Sequence, residues 1–222
     1  MNDPANEAII ARIAARYRRR SQQSYARGKL RWDPVFATAA SLFDQSQHAL
    51  LDVGCGLGLL GQYLYEHGRR APYRGLDLDV RKIEAARTAA SDGLNLQFAH
   101  GSAAEMPAFR GDVALIDLLH YLPAHAQRQI LAAAAERVAS NGLLVIRSVL
   151  RDDSWRFRTT LLEERLARMI GWMRYSTAYF PSRQDIEAPL HAMGFQVRVS
   201  PLWGHTPFNS YLFVAQRDCE RN

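Results

Sequence analysis

Cysteine is scarce in this chain, and long apolar runs are absent. The 222 residues include two cysteines, Cys55 inside a glycine-rich segment and Cys219 near the C-terminus. Two isolated cysteines give neither a disulfide framework nor a metal-binding pattern, so we expect a reducing cytoplasm and no metal. No apolar stretch reaches the ~20 residues that a transmembrane helix needs. The first residues place apolar side chains before arginines, the reverse of a secretory signal, so no export signal is predicted.

The formal net charge is +6, and much of the basic excess lies early in the sequence. The early cations are Arg12, Arg16, Arg18, Arg19, Arg20, Arg27, Lys29 and Arg31. A nucleic-acid partner is one interpretation of such a cluster. We favour a solvated helix face or a basic lid near an anionic ligand, because aromatic residues for base stacking are few there. Residues 24–31 are accordingly a candidate lid or a surface connection between two helices.

Strand-like and helix-like patterns alternate from residue 48 to residue 149. We predict strands at 48–53, 73–78, 94–99, 112–118 and 143–149, with helices at 59–67, 80–91 and 123–139. This alternation is typical of a parallel sheet covered by helices on both faces.

Helices are also predicted before and after this alternating core. They lie at 5–20, at 34–43 with Asp33 as its cap, at 154–174, and at 183–193 with Ser182 as its cap. Two antiparallel strands follow, at 195–200 and 211–216. The prediction is one α/β, Rossmann-like domain with a helical cap (1–46), a cofactor-binding core (47–150) and acceptor-side helices with the last strands (151–222).

A glycine-rich turn joins the first strand to the following helix. Gly54, Gly56 and Gly58 lie in it, and glycine lets the backbone approach a ligand because it has no Cβ. The first turn of the next helix offers free N–H groups. The second strand ends near Asp77, whose carboxylate can accept two hydrogen bonds from a ribose diol. Together these features predict a nucleoside-binding site at the carboxyl edge of the sheet.

Two classes of cofactor use such a turn. Residues 56–61 formally match the G-x-G-x-x-G pattern of dinucleotide enzymes, which alone is a weak match. Asp52 lies just before the turn, where its charge would repel a pyrophosphate. The same charge would attract the sulfonium and ammonium groups of S-adenosylmethionine (SAM). The alternative for Asp52 is a residue that caps the turn.

Residues 51–58, LDVGCGLG, resemble motif I of the class I SAM-dependent methyltransferases, an acid followed by G-x-G-x-G. Residues 75–79, 111–122 and 188–195 resemble the family's second motif, its fourth strand with the following turn, and the helix before its sixth strand. The resemblance implies a seven-stranded, mostly parallel sheet with an antiparallel last strand. It also implies SAM as cofactor and S-adenosylhomocysteine (SAH) as product.

The resemblance also implies a set of cofactor-binding residues, with Asp77 on the ribose. The set is Asp52, Gly54, Cys55, Gly56, Gly58, Asp77, Leu78, Ser102, Ala103 and Asp117. Residues 100–107 resemble the segment in which the family's aspartate reaches the adenine amino group. Ser102 stands in that place, and its uncharged hydroxyl can still accept the hydrogen bond.

Methyl transfer depends largely on placing the acceptor behind the methyl group, and a base helps when the acceptor is a hydroxyl or a protonated amine. His120, just past the fourth strand, is the best candidate base; the alternative is that it packs in the turn. Tyr121 either lines the acceptor pocket or packs against a helix. Asp117 either touches the methionine moiety or stabilises the turn. His205 is a weaker candidate base.

The sequence thus predicts a SAM-dependent methyltransferase acting on a small molecule, either aromatic or polyketide- or lipid-like. An RNA or protein methyltransferase is the alternative, although the N-P-P-Y or D-P-P-Y typical of amino-directed nucleic-acid enzymes is replaced by residues 117–120, DLLH. An NAD(P) oxidoreductase, an inactive scaffold and a metal site at residues 151–153 are less favoured. The amphipathic helix from Trp155 leaves peripheral membrane contact open, and the oligomeric state is not indicated.

Overall fold

The structure is a computed structural model that describes residues 3–90, 94–159, 179–204 and 208–217. Its seven strands form a mixed sheet, which confirms the predicted fold class. The chain divides into two compact units, residues 1–111 and 112–222. The prediction of a single domain with three regions stays a prediction.

Unit 1 contains three parallel strands in the order β3-β2-β1 and five helices among its described residues. The strands are β1 (Leu50–Val53), β2 (Tyr73–Asp77) and β3 (Leu96–His100). The helices are α1 (Pro4–Ala15), α2 (Arg20–Trp32), α3 (Val35–Phe43), α4 (Leu59–Glu66) and α5 (Val80–Ala89). All of them except α2 were predicted within a few residues of these bounds.

Helix α2 corrects the prediction for residues 24–31. These residues lie inside a regular helix and are not a surface connection. Ala26 and Leu30, spaced four residues apart, are buried and anchor one face of the helix. The good helix formers around Gly28 outweigh the helix-breaking tendency of that glycine, which a local reading overvalues.

The N-terminal region is attached to the glycine-rich turn and to α4. The Tyr17 hydroxyl donates to the Leu57 carbonyl oxygen at 2.7 Å and accepts from Gln62 Nε2 at 2.7 Å. Arg12 and Arg16 both pair with Glu66 at the end of α4. A part of the early basic cluster is therefore used to hold α1 against α4.

The other early cations divide into two groups. Arg31 pairs with Glu7, and Lys29 pairs with Asp33 at 2.6 Å. Arg18, Arg19, Arg20 and Arg27 are exposed. Half of the cluster therefore serves local structure, and half is a cationic surface.

Unit 2 contains four strands in the order β4-β5-β7-β6. Its elements are β4 (Asp112–Ile116), the one-turn 3-10 helix Leu119–Tyr121, α6 (Ala124–Arg137), β5 (Leu143–Val149), α7 (Arg183–Ala192), β6 (Phe195–Pro201) and β7 (Ser210–Arg217). Strand β4 is parallel to β5, whereas β7 is antiparallel to both of its neighbours, as predicted for the last strand.

Several boundaries in unit 2 are set by local chemistry. Strand β4 ends two residues earlier than predicted because Asp117 has a left-handed backbone, with φ 57°. Ser182 forms a capping box with Asp185, which confirms the predicted start of α7. The predicted helix at 154–174 is helical at residues 155–159, and its remainder lies outside the described residues, as do His205 and Cys219. Within the described ranges, no helix is long and apolar enough to cross a membrane.

We expect Tyr17→Phe to lower the free energy of unfolding by roughly 1–3 kcal/mol, because it leaves the part-buried Leu57 carbonyl and the buried Gln62 amide without this partner. Chemical denaturation measures the loss. Tyr25→Phe is the matched control, since that ring is 55% exposed and lies on the neighbouring helix. Equal stability of the two variants would contradict a structural role for the Tyr17 hydroxyl.

Candidate functional site

The carboxylate of Asp77 holds the glycine-rich turn in place. Its Oδ2 accepts from the Gly56 N–H at 2.8 Å, and its Oδ1 accepts from the Asp79 N–H at 2.8 Å. An ionised carboxylate offers about four acceptor positions, so two remain for a ligand such as a ribose diol. The sequence predicted the ribose contact of Asp77. It did not predict the hydrogen bond from Gly56, because that bond requires the turn and the end of β2 to be adjacent.

The backbone of the turn needs glycine. Gly54, Gly56 and Gly58 have φ values of 82°, 56° and 72°, in the left-handed region that other residues rarely adopt. A Cβ on Gly58 would also lie 2.4 Å from the Phe98 ring. Gly58 is the N-cap of α4. Because glycine has no side chain, the N–H groups of the first turn receive no side-chain cap from this position.

The remaining predicted cofactor residues of unit 1 follow β2 and β3 at the same edge of the sheet. Leu78 is 65% exposed beside Asp77, and its carbonyl oxygen lies 3.1 Å from His100 Nε2. Ser102 caps the 3-10 turn that Ala103 begins, and its Oγ accepts from the Ala104 N–H at 3.2 Å. The carboxyl ends of β1, β2 and β3 thus present a glycine turn, an acid, an apolar side chain and a hydroxyl together. His100 was missed because its role depends on the β2–β3 register.

Asp52 lies beneath this edge and is only 2% exposed. Its Oδ2 accepts from the Tyr73 hydroxyl at 2.5 Å, and its Oδ1 has no hydrogen-bond partner among the described residues. Burial raises the pKa of Asp52 to about 7, with the Tyr73 hydrogen bond opposing the rise and the Asp77 charge adding to it. The full negative charge expected beside the cofactor is therefore only partly present near neutral pH. A cofactor contact by Asp52 stays a prediction.

Cys55 is directed toward the sheet. Its Sγ occupies the space beside Gly75, where an added Cβ would stand 2.7 Å away, and burial raises the pKa of this thiol. Its N–H donates to the Leu76 carbonyl oxygen at 3.1 Å. The side chain of Cys55 therefore packs beneath the turn. Its contact with the cofactor stays a prediction.

In unit 2, the predicted residue Asp117 is held by Arg147 of β5, which the sequence analysis missed. Arg147 Nη1 donates to Asp117 Oδ2 at 2.5 Å, and the Asp117 N–H donates to the Arg147 carbonyl oxygen at 3.0 Å. Within an apolar strand, the only sequence signal for Arg147 was its charge. The structure thus shows that Asp117 stabilises the turn, and its contact with the methionine moiety stays a prediction.

His120 and Tyr121 lie on the 3-10 turn after β4, in a cluster of aromatic rings. The His120 ring is 5% exposed and lies nearly parallel to Phe180, with ring centroids 6.1 Å apart. Its centroid is 4.3 Å from that of Tyr121, which is 41% exposed. Phe157 meets Phe180 edge to face at 5.3 Å. We call these four residues the aromatic cluster.

Gln127 of α6 ties the aromatic cluster together. Its buried Nε2 lies within hydrogen-bond distance of the carbonyl oxygens of Leu119, Leu122 and Tyr179, at 3.0, 2.9 and 2.6 Å. These carbonyls belong to the turn that carries His120 and to the segment that carries Phe180. Nothing in the sequence signalled this role, since the carbonyls are up to 52 residues away.

Asp152, one of the residues considered for a metal, makes hydrogen bonds within the protein instead. Asp152 accepts from the Ser154 N–H at 2.9 Å and from Asn209 Nδ2 at 2.8 Å. Within the described part of the chain, no group of three or more His, Cys, Asp or Glu residues is placed to hold a metal ion.

Comparison with known proteins places these features. Residues 50–142 match the family model of a methyltransferase domain, whereas a search of curated proteins found no match. SAM-bound magnesium protoporphyrin IX methyltransferase (ChlM) from Synechocystis PCC 6803 is similar in fold, with TM-score 0.64 and 18% identity over 98% of this chain and 99% of that one. The pyocyanin biosynthetic protein PhzM is similar with a TM-score of 0.68 and 20% identity, over 94% of this chain and 62% of that one. The mitomycin 7-O-methyltransferase MmcR is similar with a TM-score of 0.66 and 17% identity, over 88% of this chain and 56% of that one.

The matched segment contains the glycine-rich turn, Asp77 and β4, and the sheet contains the seven strands that the resemblance implies. The chain thus has the fold of the methyltransferase structures to which it is similar. Residues 50–142 therefore match a methyltransferase domain, as residues 51–58 predict.

The buried Asp52 predicts a pH dependence of stability. Its pKa is raised from 3.8 to about 7 in the folded protein, so it contributes stability at low pH that is lost as the pH rises through about 7. We expect the stability of Asp52→Asn relative to the unsubstituted protein to increase between about pH 5 and about pH 8. Chemical denaturation at several pH values measures this difference.

Tyr73→Phe is the companion variant. It removes the hydrogen bond that lowers the pKa of Asp52, so the fall in stability should be centred at a higher pH. Parallel pH profiles for the unsubstituted protein and Asp52→Asn would show that Asp52 does not titrate in this range.

Proposed function

We propose that this protein is a SAM-dependent methyltransferase that acts on a small molecule with a planar aromatic ring. The aromatic cluster carries this proposal, because exposed Tyr121 lies against the buried ring of His120, which in turn stacks on half-buried Phe180. Aromatic side chains favour flat ligands through stacked and edge-to-face contacts. The names of ChlM and MmcR, proteins of the same fold, specify magnesium protoporphyrin IX and mitomycin, which are also small molecules.

The proposed cofactor contacts follow from the edge of unit 1. Asp77 accepts the ribose hydroxyls with its two remaining acceptor positions. Leu78 packs on the adenine ring, and Ser102 and Ala103 meet its edge. Gly54, Gly56 and Gly58 let the backbone approach the nucleoside. Asp52 and Cys55 support this surface from below.

The proposed chemistry is a displacement at carbon. SAM bound by these residues would supply a methyl group on a sulfonium, and transfer of that methyl group to a lone pair of the acceptor would leave the carbon–sulfur electron pair on sulfur, as the thioether of SAH. When the acceptor is a hydroxyl, its proton moves to an imidazole nitrogen of His120. Burial of His120 excludes competing water, and the flat face of Phe180 restricts the orientation of its ring.

Cofactor binding tests the proposal first. Calorimetry should detect binding of SAM and SAH but not of NADH. NAD(P) enzymes share the glycine pattern but bind NAD(P) instead of SAM, so this comparison separates the two classes. Asp77→Ala should weaken SAH binding by roughly 1–3 kcal/mol, since it removes a charged acceptor. Glu84→Ala is the control, because Glu84 is an exposed carboxylate on α5. Unchanged affinity of Asp77→Ala would remove the ribose assignment.

His120→Asn tests the proposed base. With a panel of phenols, catechols and hydroxyquinones as acceptors, we expect turnover to fall roughly 10²–10⁴-fold while SAH affinity is nearly unchanged. His125→Asn is the control, because His125 is exposed on α6. If His120 only packs in the turn, the variant will lose thermal stability but keep its turnover per folded molecule.

A second candidate function has one observation in its favour. The exposed residues Arg18, Arg19, Arg20 and Arg27 form a cationic surface, and Tyr25 and Trp32 are exposed on the same helical region. This surface suits an RNA acceptor. Salt-sensitive binding of RNA would favour that function, and no binding at low salt would exclude it. A cytoplasmic location stays a prediction.

A further inference from the structure

Asp117 adopts a backbone conformation that needs support. Its φ of 57° is in the left-handed region, which strains the backbone of a non-glycine residue. The chain reverses there, between the end of β4 at Ile116 and the 3-10 turn that begins at Leu119. The conformation of Asp117 therefore determines the direction of the turn that carries His120 and Tyr121.

Arg147 supports Asp117 through both its backbone and its side chain. Ile116 is paired with Arg147 in the β4–β5 register, so the next N–H along β4 reaches the Arg147 carbonyl oxygen. The guanidinium then donates to Asp117 Oδ2 at 2.5 Å and to Ser210 Oγ at 3.2 Å. The Arg147 side chain is 5% exposed and that of Asp117 is 25% exposed, so water weakens this ion pair little.

The sheet itself does not need an arginine at this position. Leu144, Val145 and Ile146 of β5 are fully buried, and an apolar side chain at position 147 would continue this core. Removing a guanidinium from water is costly, and only well-placed partners offset that cost. A buried arginine whose charge is directed at a turn beside predicted site residues indicates a role in that turn.

We propose that Arg147 is a positioning residue of this methyltransferase, which holds the Asp117 carboxylate and thereby the turn that presents His120 and Tyr121. This inference rests on the proposed function for the roles of those two side chains. Arg147 acts through Asp117 and need not touch either substrate.

The experiment compares single and double variants of the full chain. Arg147→Met removes the charge and keeps most of the bulk, Arg147→Lys keeps the charge without the planar fork, and Asp117→Gly allows the left-handed backbone without support. Arg217→Met is the matched control, because Arg217 lies on β7 and donates to the Ala135 carbonyl oxygen instead. The readout is the NMR signal of the His120 ring, assigned with His120→Asn, together with thermal stability.

We expect Arg147→Met to shift or broaden the His120 signal, Arg147→Lys to shift it less, and Arg217→Met to leave it unchanged. The double variant Arg147→Met/Asp117→Gly should restore the signal toward its original position, because glycine adopts the turn without the arginine. Loss of stability with an unchanged His120 signal, or no restoration in the double variant, would overturn the positioning role.

SAH binding separates this inference from the proposed function. If the unsubstituted protein does not bind SAH, the proposed function fails, whatever the His120 signal shows. If it binds SAH and the His120 signal ignores Arg147, only the positioning role fails.

Discussion

The hydrogen bond from the Gly56 N–H to the Asp77 carboxylate joins the two sequence motifs of this protein into one site. Gly56 has a left-handed backbone, and its N–H donates to this carboxylate in addition to the backbone hydrogen bonds that Gly54 and Cys55 make to Leu76. Because the same carboxylate also accepts from Asp79, one side chain organises the ends of β1 and β2. A cofactor that binds Asp77 therefore meets a turn that is already shaped, which lowers the cost of ordering it on binding.

Buried polar side chains perform the same task elsewhere in each unit. Tyr73 holds Asp52 beneath the glycine turn, Arg147 holds Asp117 at the end of β4, and Gln127 holds the turn of His120. A buried polar group is costly unless it is hydrogen-bonded, so each of these contacts specifies one arrangement of a loop. The apolar strands supply stability, and these few polar groups determine where the predicted site residues lie.

The cations of the N-terminal region divide into those in ion pairs and those on an exposed surface. Glu66 pairs with both Arg12 and Arg16, and Glu7 pairs with Arg31, which attaches α1 to α4 and α2 to α1. A net charge counted from the sequence includes these pairs, although they present little field to a partner. Only the remaining arginines bear on the choice between a small-molecule and an RNA acceptor, and acceptor choice in such folds is set by the loops and added helices around a common core.

The sequence by itself determined the fold class and the order of strands and helices along the chain, and it predicted the cofactor, because strand and helix periods and a glycine turn next to an acid are local patterns. It predicted Asp77 and Asp117 as site residues, but not that Gly56 and Arg147 are their partners. Only the tertiary structure decided where helix α2 lies, how burial raises the pKa of Asp52, and which groups His100 and Gln127 contact. Burial, strand register and contacts between residues distant in sequence control these features, and none of them is present in a local pattern of residues.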